Sequence, residues 1–377
     1  MNTNEDLIED ENDFDADDIS EEDAERVRQM MEDVIIAKRG NLKIQIKCWV
    51  EETGFNEFFQ AINERVIGQE GLKDVVACVY IYLKNIAEGR MFKTNVLLAA
   101  PSGSGKTETF RALRDYFAVE IPMLPVYQVD LTQVTEEGFK GHDTKYIIQP
   151  LVDLKDSDGT AIVFLDEFDK KVLPSYDKTG VNVNAAVQSQ ILTLIEGRRI
   201  VEEVKLDTSN TMFIGCGAFD YVRRERKEAS EKHSIGFARE EKDVKHYDEI
   251  TQADVIAAGA SYELIGRFAM FINFHELSDR AVDMIIDKTA DKVSEGLGIK
   301  IAIGSKMREE LHASANTEYG CRRFMSMIQE TAIRSYVELM VRDKKPERYE
   351  IVLEKTNHAY ARRLKKETAE PQRARAV

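Results

Sequence analysis

Residues 100–107 read Ala-Pro-Ser-Gly-Ser-Gly-Lys-Thr and combine small residues with one lysine and one threonine hydroxyl. Gly103 and Gly105 have no Cβ, so backbone N–H groups can close on phosphate oxygens. Lys106 brings a positive charge to the β- and γ-phosphates of a nucleotide, and the Thr107 hydroxyl is a ligand for Mg²⁺. The pattern predicts a phosphate-binding loop. Its candidate ATP-binding residues are Pro101, Ser102, Gly103, Ser104, Gly105, Lys106 and Thr107.

The segments on either side of this loop support the prediction. The apolar run Asn95–Ala100 precedes it and is typical of a buried strand, and a helical pattern follows to about Ala118. A loop between a strand and a helix is the setting of a P-loop, and the start of the helix adds a positive dipole. Ala100 stands where the pattern usually has its first glycine, which is a mild departure because alanine is the next smallest residue.

A second acidic feature lies fifty-nine residues after Thr107, where the apolar run Ala161–Leu165 ends in Asp166 and Glu167. Two carboxylates at the end of a buried strand, combined with a P-loop, are typical of an ATPase that hydrolyses its nucleotide. Asp166 is the expected Mg²⁺-shell residue. Glu167 is the expected catalytic residue, which orients and deprotonates the attacking water.

From about residue 54, short apolar runs alternate with helical patterns, which indicates a parallel sheet covered on both faces. After about Phe274 the pattern changes to longer helices and fewer strands. The predicted fold class is α/β: a P-loop NTPase large domain with a parallel sheet between helices, and a smaller C-terminal α+β domain. The predicted strands are 95–100, 126–130, 161–165, 211–216, 299–303 and 349–353, and the predicted helices are 55–65, 69–86, 106–118, 185–196, 278–294 and 321–341.

The two ends of the chain differ from its middle in charge and pattern. We expect an acidic disordered tail over 1–24, a small N-terminal helix and strand segment over 25–53, the large ATPase domain over 54–273, the small domain over 274–356 and a basic tail over 357–377. In the N-terminal segment a helix is predicted over about 20–38. Leu42, Ile44 and Ile46 alternate with polar residues, which predicts a strand, and Trp49 is expected to pack at that junction.

Composition narrows the class of protein. The formal net charge is −16, but residues 1–25 carry thirteen Asp and Glu and no Lys or Arg, so the body is nearly neutral. Nucleic-acid binding is therefore disfavoured, because it needs a basic face. The sequence contains no run of 18 apolar residues, so no membrane span is predicted. The acidic start does not resemble a secretory signal. We expect a cytoplasmic protein with no membrane partner.

From Val66 to Glu354 the chain resembles the ClpX family of AAA+ unfoldases. The resemblance rests on six segments in family order: VIGQE (66–70), FLDEFDK (164–170), VQSQILTLIEG (187–197), MFIGCGAFD (212–220), ELIGRF (263–268) and Gly-Cys-Arg (320–322). It implies that the predicted P-loop domain and small domain are the two AAA+ domains. It also implies that the first segment, with Ile67, lies beside the adenine.

The resemblance implies roles for two arginines. Arg267 is similar to the arginine finger, which reaches the γ-phosphate of a neighbouring subunit. Arg322 is similar to the sensor-2 arginine, which acts from the small domain of the same subunit, and the adjacent Arg323 is the alternative. A planar guanidinium suits the charge of a transferring phosphoryl group. A finger acting in trans requires a ring, which we expect to be a homohexamer.

Residues 137–141, Glu-Gly-Phe-Lys-Gly, resemble the loop with which the family grips substrates in its pore. Phe139 is the expected gripping aromatic, and Lys140 stands where the family has an apolar residue. An ordinary glycine turn and a GxxG nucleic-acid clamp are the alternatives. Ile235, Gly236 and Phe237 form an apolar tripeptide in a charged insert, and they resemble the loop that docks the family on the ring peptidase ClpP.

The chain also departs from the family pattern. The family's N-terminal zinc-binding domain and its basic Arg-Lys-His loop have no counterpart here, so recognition of adaptors and of the usual degradation tags is not carried over. The four cysteines form no Cys-x-x-Cys pair, which argues against a zinc site. No polar sensor-1 residue is evident after the run 211–216, and that role stays unassigned.

The first functional hypothesis is an Mg-ATP-dependent unfoldase that threads unfolded or tagged proteins through a ring pore and delivers them to a ClpP-like peptidase. The second is a remodelling ATPase or chaperone that works without a peptidase. The third is a nucleic-acid motor on the same P-loop core, which the near-neutral body and the acidic tail disfavour.

Overall fold

A computed structural model of the chain describes residues 41–90, 92–135, 144–152, 158–197, 199–200, 206–233, 249–315 and 320–364. In chain order, the helices α1 to α13 of these residues are Leu42–Glu52, Phe55–Asn63, Leu72–Ala87, Lys106–Glu120, Gln149–Val152, Asp169–Val172, Val183–Glu196, Asp220–His233, Gln252–Ala257, Tyr262–Ile265, Asp279–Leu297, Ser305–Ala315 and Phe324–Arg342. The strands β1 to β10 are Asn95–Ala99, Val126–Asp130, Ala161–Asp166, Arg199–Ile200, Leu206–Asp207, Thr211–Gly217, Phe268–Asn273, Lys300–Ile303, Tyr349–Lys355 and His358–Arg363.

A five-stranded sheet in the order β2-β3-β6-β1-β7 forms the centre of the large domain, and all of its neighbouring strands are parallel. The central strands are apolar throughout because helices cover both faces: every residue of β1 and β6 is buried, as are the first five of β3. The predicted α/β class with a parallel sheet between helices is confirmed.

Alternate residues of the strands pack into two different cores. On one face, Val96, Leu98 and Phe164 pack with α1 to α4. On the other face, Leu97 and Leu165 pack with α7 and with the helices that follow β6. The carboxyl ends of β1 and β3 lie at the same edge of the sheet because the strands are parallel, so the fold brings the phosphate-binding loop and the acidic pair to one edge.

The C-terminal part is a smaller α+β unit with a separate core. Its sheet has the order β10-β9-β8, in which β8 and β9 are parallel and β9 and β10 antiparallel. Helices α11, α12 and α13 supply Ile286, Leu311 and Ile328, which pack against Ile351 and Leu353 of β9. This confirms the predicted smaller C-terminal domain with helices and a sheet.

The predicted strand at Leu42, Ile44 and Ile46 is wrong. These residues belong to α1, whose N-cap Asn41 accepts a hydrogen bond from the Lys43 N–H at 3.1 Å. Ile46 and Trp49 are buried, whereas Ile44 is 48% exposed. The helical spacing of Leu42, Ile46 and Trp49 therefore prevails over a two-residue alternation that lasted only five residues. The predicted helix over 20–38 lies outside the described residues.

Several elements were not predicted, among them the strands β7 and β10 and the helix α12. Strand β7 lies at the edge of the large sheet, where only Phe268 and Ile272 are buried, so its apolar signal is weak. Residues 358–363 belong to the predicted basic tail but form β10 in the structure. A turn with Asn357 at φ +59° returns the chain to pair with β9. Helix α12 has only two buried apolar residues, Met307 and Leu311, and gave no clear periodic pattern.

Candidate functional site

The loop 101–105 joins β1 to α4 and takes a shape that requires glycine. Gly103 and Gly105 have φ angles of +81° and +107°, which residues with a Cβ rarely adopt. A Cβ on Gly103 would also lie 3.1 Å from the Cα of Gly320. The loop opens the fifteen-residue helix α4, so its backbone lies at the positive end of the helix dipole.

Lys106 is the first residue of α4, and its side chain turns back over the loop. Its Nζ donates hydrogen bonds to the carbonyl oxygens of Ala100 and Pro101, the latter at 3.2 Å. Burial lowers the pKa of Lys106, and nearby negative groups, Asp166 and Glu167 among them, partly oppose that effect. The structure therefore brings the loop lysine within electrostatic reach of the acidic pair.

The acidic pair lies at the carboxyl end of β3. One carboxylate oxygen of Asp166 accepts a hydrogen bond from the Gln128 side-chain amide, and the other accepts the Glu167 N–H at 3.0 Å. Gln128 lies on the neighbouring strand β2 and fixes the orientation of Asp166. A half-buried carboxylate held in this way is a suitable oxygen ligand for a hard cation such as Mg²⁺.

Glu167 has an unusual backbone. Its φ angle is +55°, in the left-handed region that residues other than glycine seldom occupy. Strain of this kind clusters at functional sites, where the surrounding structure maintains it. Burial, followed by the charges of Asp169 and Asp166, raises the pKa of the Glu167 carboxyl group. A raised pKa suits a group that must take up a proton from water.

Asp169 is completely buried just behind this pair. Its Oδ2 accepts the N–H of Phe219 at 3.2 Å and lies 3.6 Å from the Lys170 ammonium. Its Oδ1 has no hydrogen-bond partner among the described residues. Phe219 follows β6 with a φ of +54°. Asp169 therefore links the acidic end of β3 to the end of β6.

The C-terminal domain reaches the phosphate-binding loop through Gly320. This residue has a φ of +53°, and a Cβ on it would lie 2.9 Å from the Cα of Gly103. Beside this contact is a cleft of about 290 Å³, lined by Pro101, Ser102, Gly103, Ser104, Glu276, Leu277, Val282, Ala315, Gly320 and Cys321. A nucleotide held by the loop would thus contact both domains.

The segment that contains Ile67 is fixed at the junction of the two domains. The amide of the buried Gln69 donates to the carbonyl of His275 at 2.9 Å and accepts the N–H of His275 at 3.0 Å. Gly68 packs so closely on Ala281 that a Cβ would lie 2.5 Å from the Ala281 Cβ. Ile67 itself is half-buried.

The two candidate arginines lie in different places. Arg267 lies between α10 and β7, and its Nη2 donates to Glu196 Oε1 at 2.6 Å. Its side chain is 52% exposed, as a group that acts on a neighbouring subunit would need to be. Arg322 and Arg323 are exposed in a single turn, Gly320–Arg323, before α13. Arg322 thus lies two residues from the contact between Gly320 and Gly103.

Two predicted functional segments lie outside the described residues. They are the pore segment with Phe139 and Lys140 and the docking tripeptide Ile235, Gly236 and Phe237.

Sequence reasoning missed Gln128, Asp169 and Glu196. Gln128 had a visible signal, a polar residue in the middle of the apolar run Val126–Val129. The burial of Asp169 and the partner of Glu196 had none, because both depend on contacts between segments far apart in the chain.

The residues present fit a nucleotide with a bound cation. Gly103 and Gly105 give the loop the positive φ angles that let its backbone curve around a phosphate. The Lys106 ammonium is hydrogen-bonded to backbone carbonyls of the loop and can exchange these bonds for phosphate oxygens. Asp166 offers carboxylate oxygens at the neighbouring strand end, and Thr107, the next residue after Lys106, offers a hydroxyl.

Known proteins were compared with this chain. The model of a family described as AAA domain (Cdc48 subfamily) matches residues 92–271. The chain is 30% identical over 266 residues to the ATP-dependent Clp protease ATP-binding subunit ClpX of Treponema denticola, covering 61% of this chain and 62% of that protein. The chain is thus similar to ClpX proteins and carries a segment that matches an AAA domain. Two further ClpX proteins, from Methylococcus capsulatus and Azotobacter vinelandii, are 27% and 29% identical over 277 and 258 residues.

The chain spans about three fifths of the length of these curated relatives, 62%, 62% and 58% respectively. The matched part makes up 61%, 61% and 59% of this chain in the same comparisons. Within the described residues, none of the helices combines the length and the apolar character needed to cross a bilayer.

Proposed function

We propose that this chain is an ATP-dependent protein unfoldase that threads substrates through the pore of a ring and delivers them to a ClpP-like peptidase. The observation that supports this most directly is the convergence of Lys106, Asp166 and Glu167 at one edge of the sheet, in a chain similar to ClpX. The printed name of that relative describes it as the ATP-binding subunit of an ATP-dependent protease.

In this proposal the loop 101–107 binds the phosphates, and Thr107 and Asp166 hold Mg²⁺. The cation neutralises phosphate charge when it is bound. Lys106 exchanges its bonds to backbone carbonyls for bonds to phosphate oxygens. Glu167 accepts a proton from the attacking water, and its raised pKa makes the carboxylate a better base.

Two arginines couple ATP hydrolysis to ring assembly and to the relative position of the two domains. Arg267 contacts the phosphate of a neighbouring subunit and so makes hydrolysis depend on assembly, for which we propose a homohexameric ring. Arg322 acts from the C-terminal small domain toward the large domain. Two rigid bodies that meet at Gly320 and Gly103 can change their relative position when the nucleotide changes.

The parts that act on protein rest on the sequence resemblance. We propose that Phe139 grips the substrate, because a large flat side chain can press on any polypeptide, and that Lys140 beside it alters the grip. We propose that Ile235, Gly236 and Phe237 dock on the peptidase, because an apolar tripeptide amid charged residues in the sequence favours a partner surface.

The test is unfolding of a stable fluorescent protein that carries an unstructured tag. Loss of fluorescence is expected with ATP, and degradation only when the cognate ring peptidase is added. Phe139→Ala should abolish unfolding while ATP binding persists, because the proposed role of Phe139 is to grip the substrate and the proposed phosphate-binding residues are 101–107. Phe237→Ala is the matched control and should unfold the substrate but fail to deliver it.

The possible results separate the two parts of the proposal. Unfolding by Phe139→Ala at the wild-type rate would contradict the threading role. Degradation by Phe237→Ala at the wild-type rate, with the peptidase still captured in a pull-down, would contradict the docking role of the tripeptide. Unfolding by the wild-type chain without degradation when the peptidase is present would remove the peptidase from the proposal and favour a remodelling ATPase.

A further inference from the structure

Glu196 and Arg267 form an ion pair, and both line a cavity of about 480 Å³ in the large domain. The cavity is lined by Lys93, Asn95, Ile195, Glu196, Gly266 and Arg267. Among these lining residues Glu196 is the one carboxylate, and Lys93 and Arg267 are the two cationic residues. The Arg267 guanidinium donates to its Oε1 at 2.6 Å.

Both members of the pair are mounted on fixed backbones. Glu196 ends α7, where the Thr208 hydroxyl donates to the Leu194 carbonyl at 2.7 Å. The helix closes at Gly197, whose φ is +84° and where a Cβ would lie 2.6 Å from the Ser209 Oγ. The pairing of Glu196 with Arg267 therefore follows from two well-defined positions and not from a mobile surface contact.

The backbone of Arg267 is also fixed by hydrogen bonds. The Asn95 side-chain amide donates to the Arg267 carbonyl at 3.2 Å, and its oxygen accepts the Phe213 N–H at 3.0 Å. Only the guanidinium end is left to move. Since the side chain is half-exposed, water and an arriving anion can both reach it.

Glu196 is not placed there to stabilise its helix. It lies in the last turn of α7, where a negative charge opposes the negative end of the helix dipole. No basic residue lies in that turn. The local stability of the helix would thus be served at least as well by an uncharged residue.

We propose that Glu196 is a positioning residue that holds the Arg267 guanidinium in an ion pair until a phosphate of a neighbouring subunit competes for it. This inference rests on the proposed role of Arg267 as the arginine finger. A phosphate carries more charge than a carboxylate and offers the same bidentate geometry to arginine, so it can displace Glu196.

Lys93 is a second cationic residue that lines the cavity. Its Nζ donates to the Thr208 carbonyl at 2.9 Å and lies 5.7 Å from the centre of the Phe213 ring. Burial lowers the pKa of Lys93 to about 8, so the ammonium is still mostly protonated at pH 7. Without the Glu196 carboxylate the cavity would present two cations, and its attraction for an anionic phosphate would rise.

The test compares Glu196→Gln with the wild-type chain. The first readout is the protein concentration at which half of the chain assembles with the slowly hydrolysed analogue ATPγS, measured by sedimentation. The second is the maximal ATP turnover at high protein concentration. Glu196→Gln should lower the assembly midpoint about two- to fivefold, which is the range that a partly exposed ion pair can supply, with maximal turnover within about twofold of wild type.

Glu295→Gln is the matched control. Glu295 lies in the last turn of α11, which also ends at a left-handed glycine, Gly298, and it is exposed in the small domain. This variant removes the same charge from a similar helix end, so its assembly midpoint should equal that of wild type. Glu196→Ala, which also removes the carboxylate, serves as the second variant and should repeat the effect of Glu196→Gln.

Arg267→Ala separates this inference from the proposed function. In that background Glu196→Gln should leave the assembly midpoint unchanged, because no guanidinium remains to be released. An unchanged or raised assembly midpoint in both Glu196 variants with Arg267 present would overturn the positioning role of Glu196. An equal shift of the assembly midpoint in the Arg267→Ala background would also overturn it. Wild-type turnover by Arg267→Ala alone would instead overturn the proposed role of Arg267.

Discussion

Helix α4 joins two regions that are built in opposite ways. At its first residue, Lys106, it enters a site of strained backbone and buried charge, where Glu167 has a φ of +55° and Asp169 is fully buried. At its other end, Tyr116 and Phe117 enter an aromatic cluster with Trp49, Phe58 and Tyr80. We call these five residues the aromatic cluster.

The aromatic cluster contributes stability without chemistry. The Trp49 ring lies 5.2 Å from Phe58 and 5.5 Å from Phe117 between centroids, in edge-to-face arrangements that aromatic pairs favour. Its Nε1 donates to the Tyr116 hydroxyl at 3.2 Å. The site at the other end of α4 contains a strained φ angle, which costs on the order of 1–3 kcal/mol. The comparison indicates that α4 is anchored by aromatic packing at the end away from the reacting groups, while its first residue, Lys106, lies at the site.

The largest expected effect is on the aromatic cluster. Trp49→Ala should lower the free energy of unfolding by about 3–5 kcal/mol, because it leaves a cavity among buried rings. Urea denaturation followed by circular dichroism measures this, since the variant has no tryptophan. Trp49→Phe is the control and should lose less, because it keeps an aromatic ring in place. A loss below about 1 kcal/mol in Trp49→Ala would show that α1 does not anchor α4.

A smaller effect is expected at the site, in the pH dependence of ATP turnover. The charge of Asp169 raises the pKa of Glu167, so Asp169→Asn should lower that pKa. Because Glu167 must be deprotonated to act as a base, the acid limb of the turnover profile should move to lower pH. Lys170 has the opposite effect on Glu167, so Lys170→Met should move the same limb to higher pH.

The two variants are controls for each other. A general loss of folding would reduce turnover at every pH, whereas the proposed electrostatic effect moves the two acid limbs in opposite directions. Movement of both limbs in the same direction would contradict the assignment of this limb to Glu167.

Sequence predicted most of the central sheet because β1, β3 and β6 are buried on both faces and therefore apolar throughout. It failed where burial is one-sided or local. The edge strand β7 has two buried residues, and α1 has a short alternation at its start that resembles a strand. In each case the packing partner decided the outcome, and that partner lies far away in the chain.

The candidate site divides in the same way. The loop 101–107 and the pair Asp166 and Glu167 were visible because their chemistry is encoded in neighbouring residues. The approach of Gly320 to Gly103 and the pairing of Glu196 with Arg267 were not, since these partners are brought together only by the fold.

The central claim is that Glu167 turns over a nucleotide that the loop 101–107 binds. The most direct measurement compares ATP affinity and steady-state ATP turnover of Glu167→Gln with those of the wild-type chain. We predict an affinity within about threefold of wild type and a turnover lower by about 10²–10⁴-fold, which is the usual contribution of a general base. Wild-type turnover by Glu167→Gln would contradict the account.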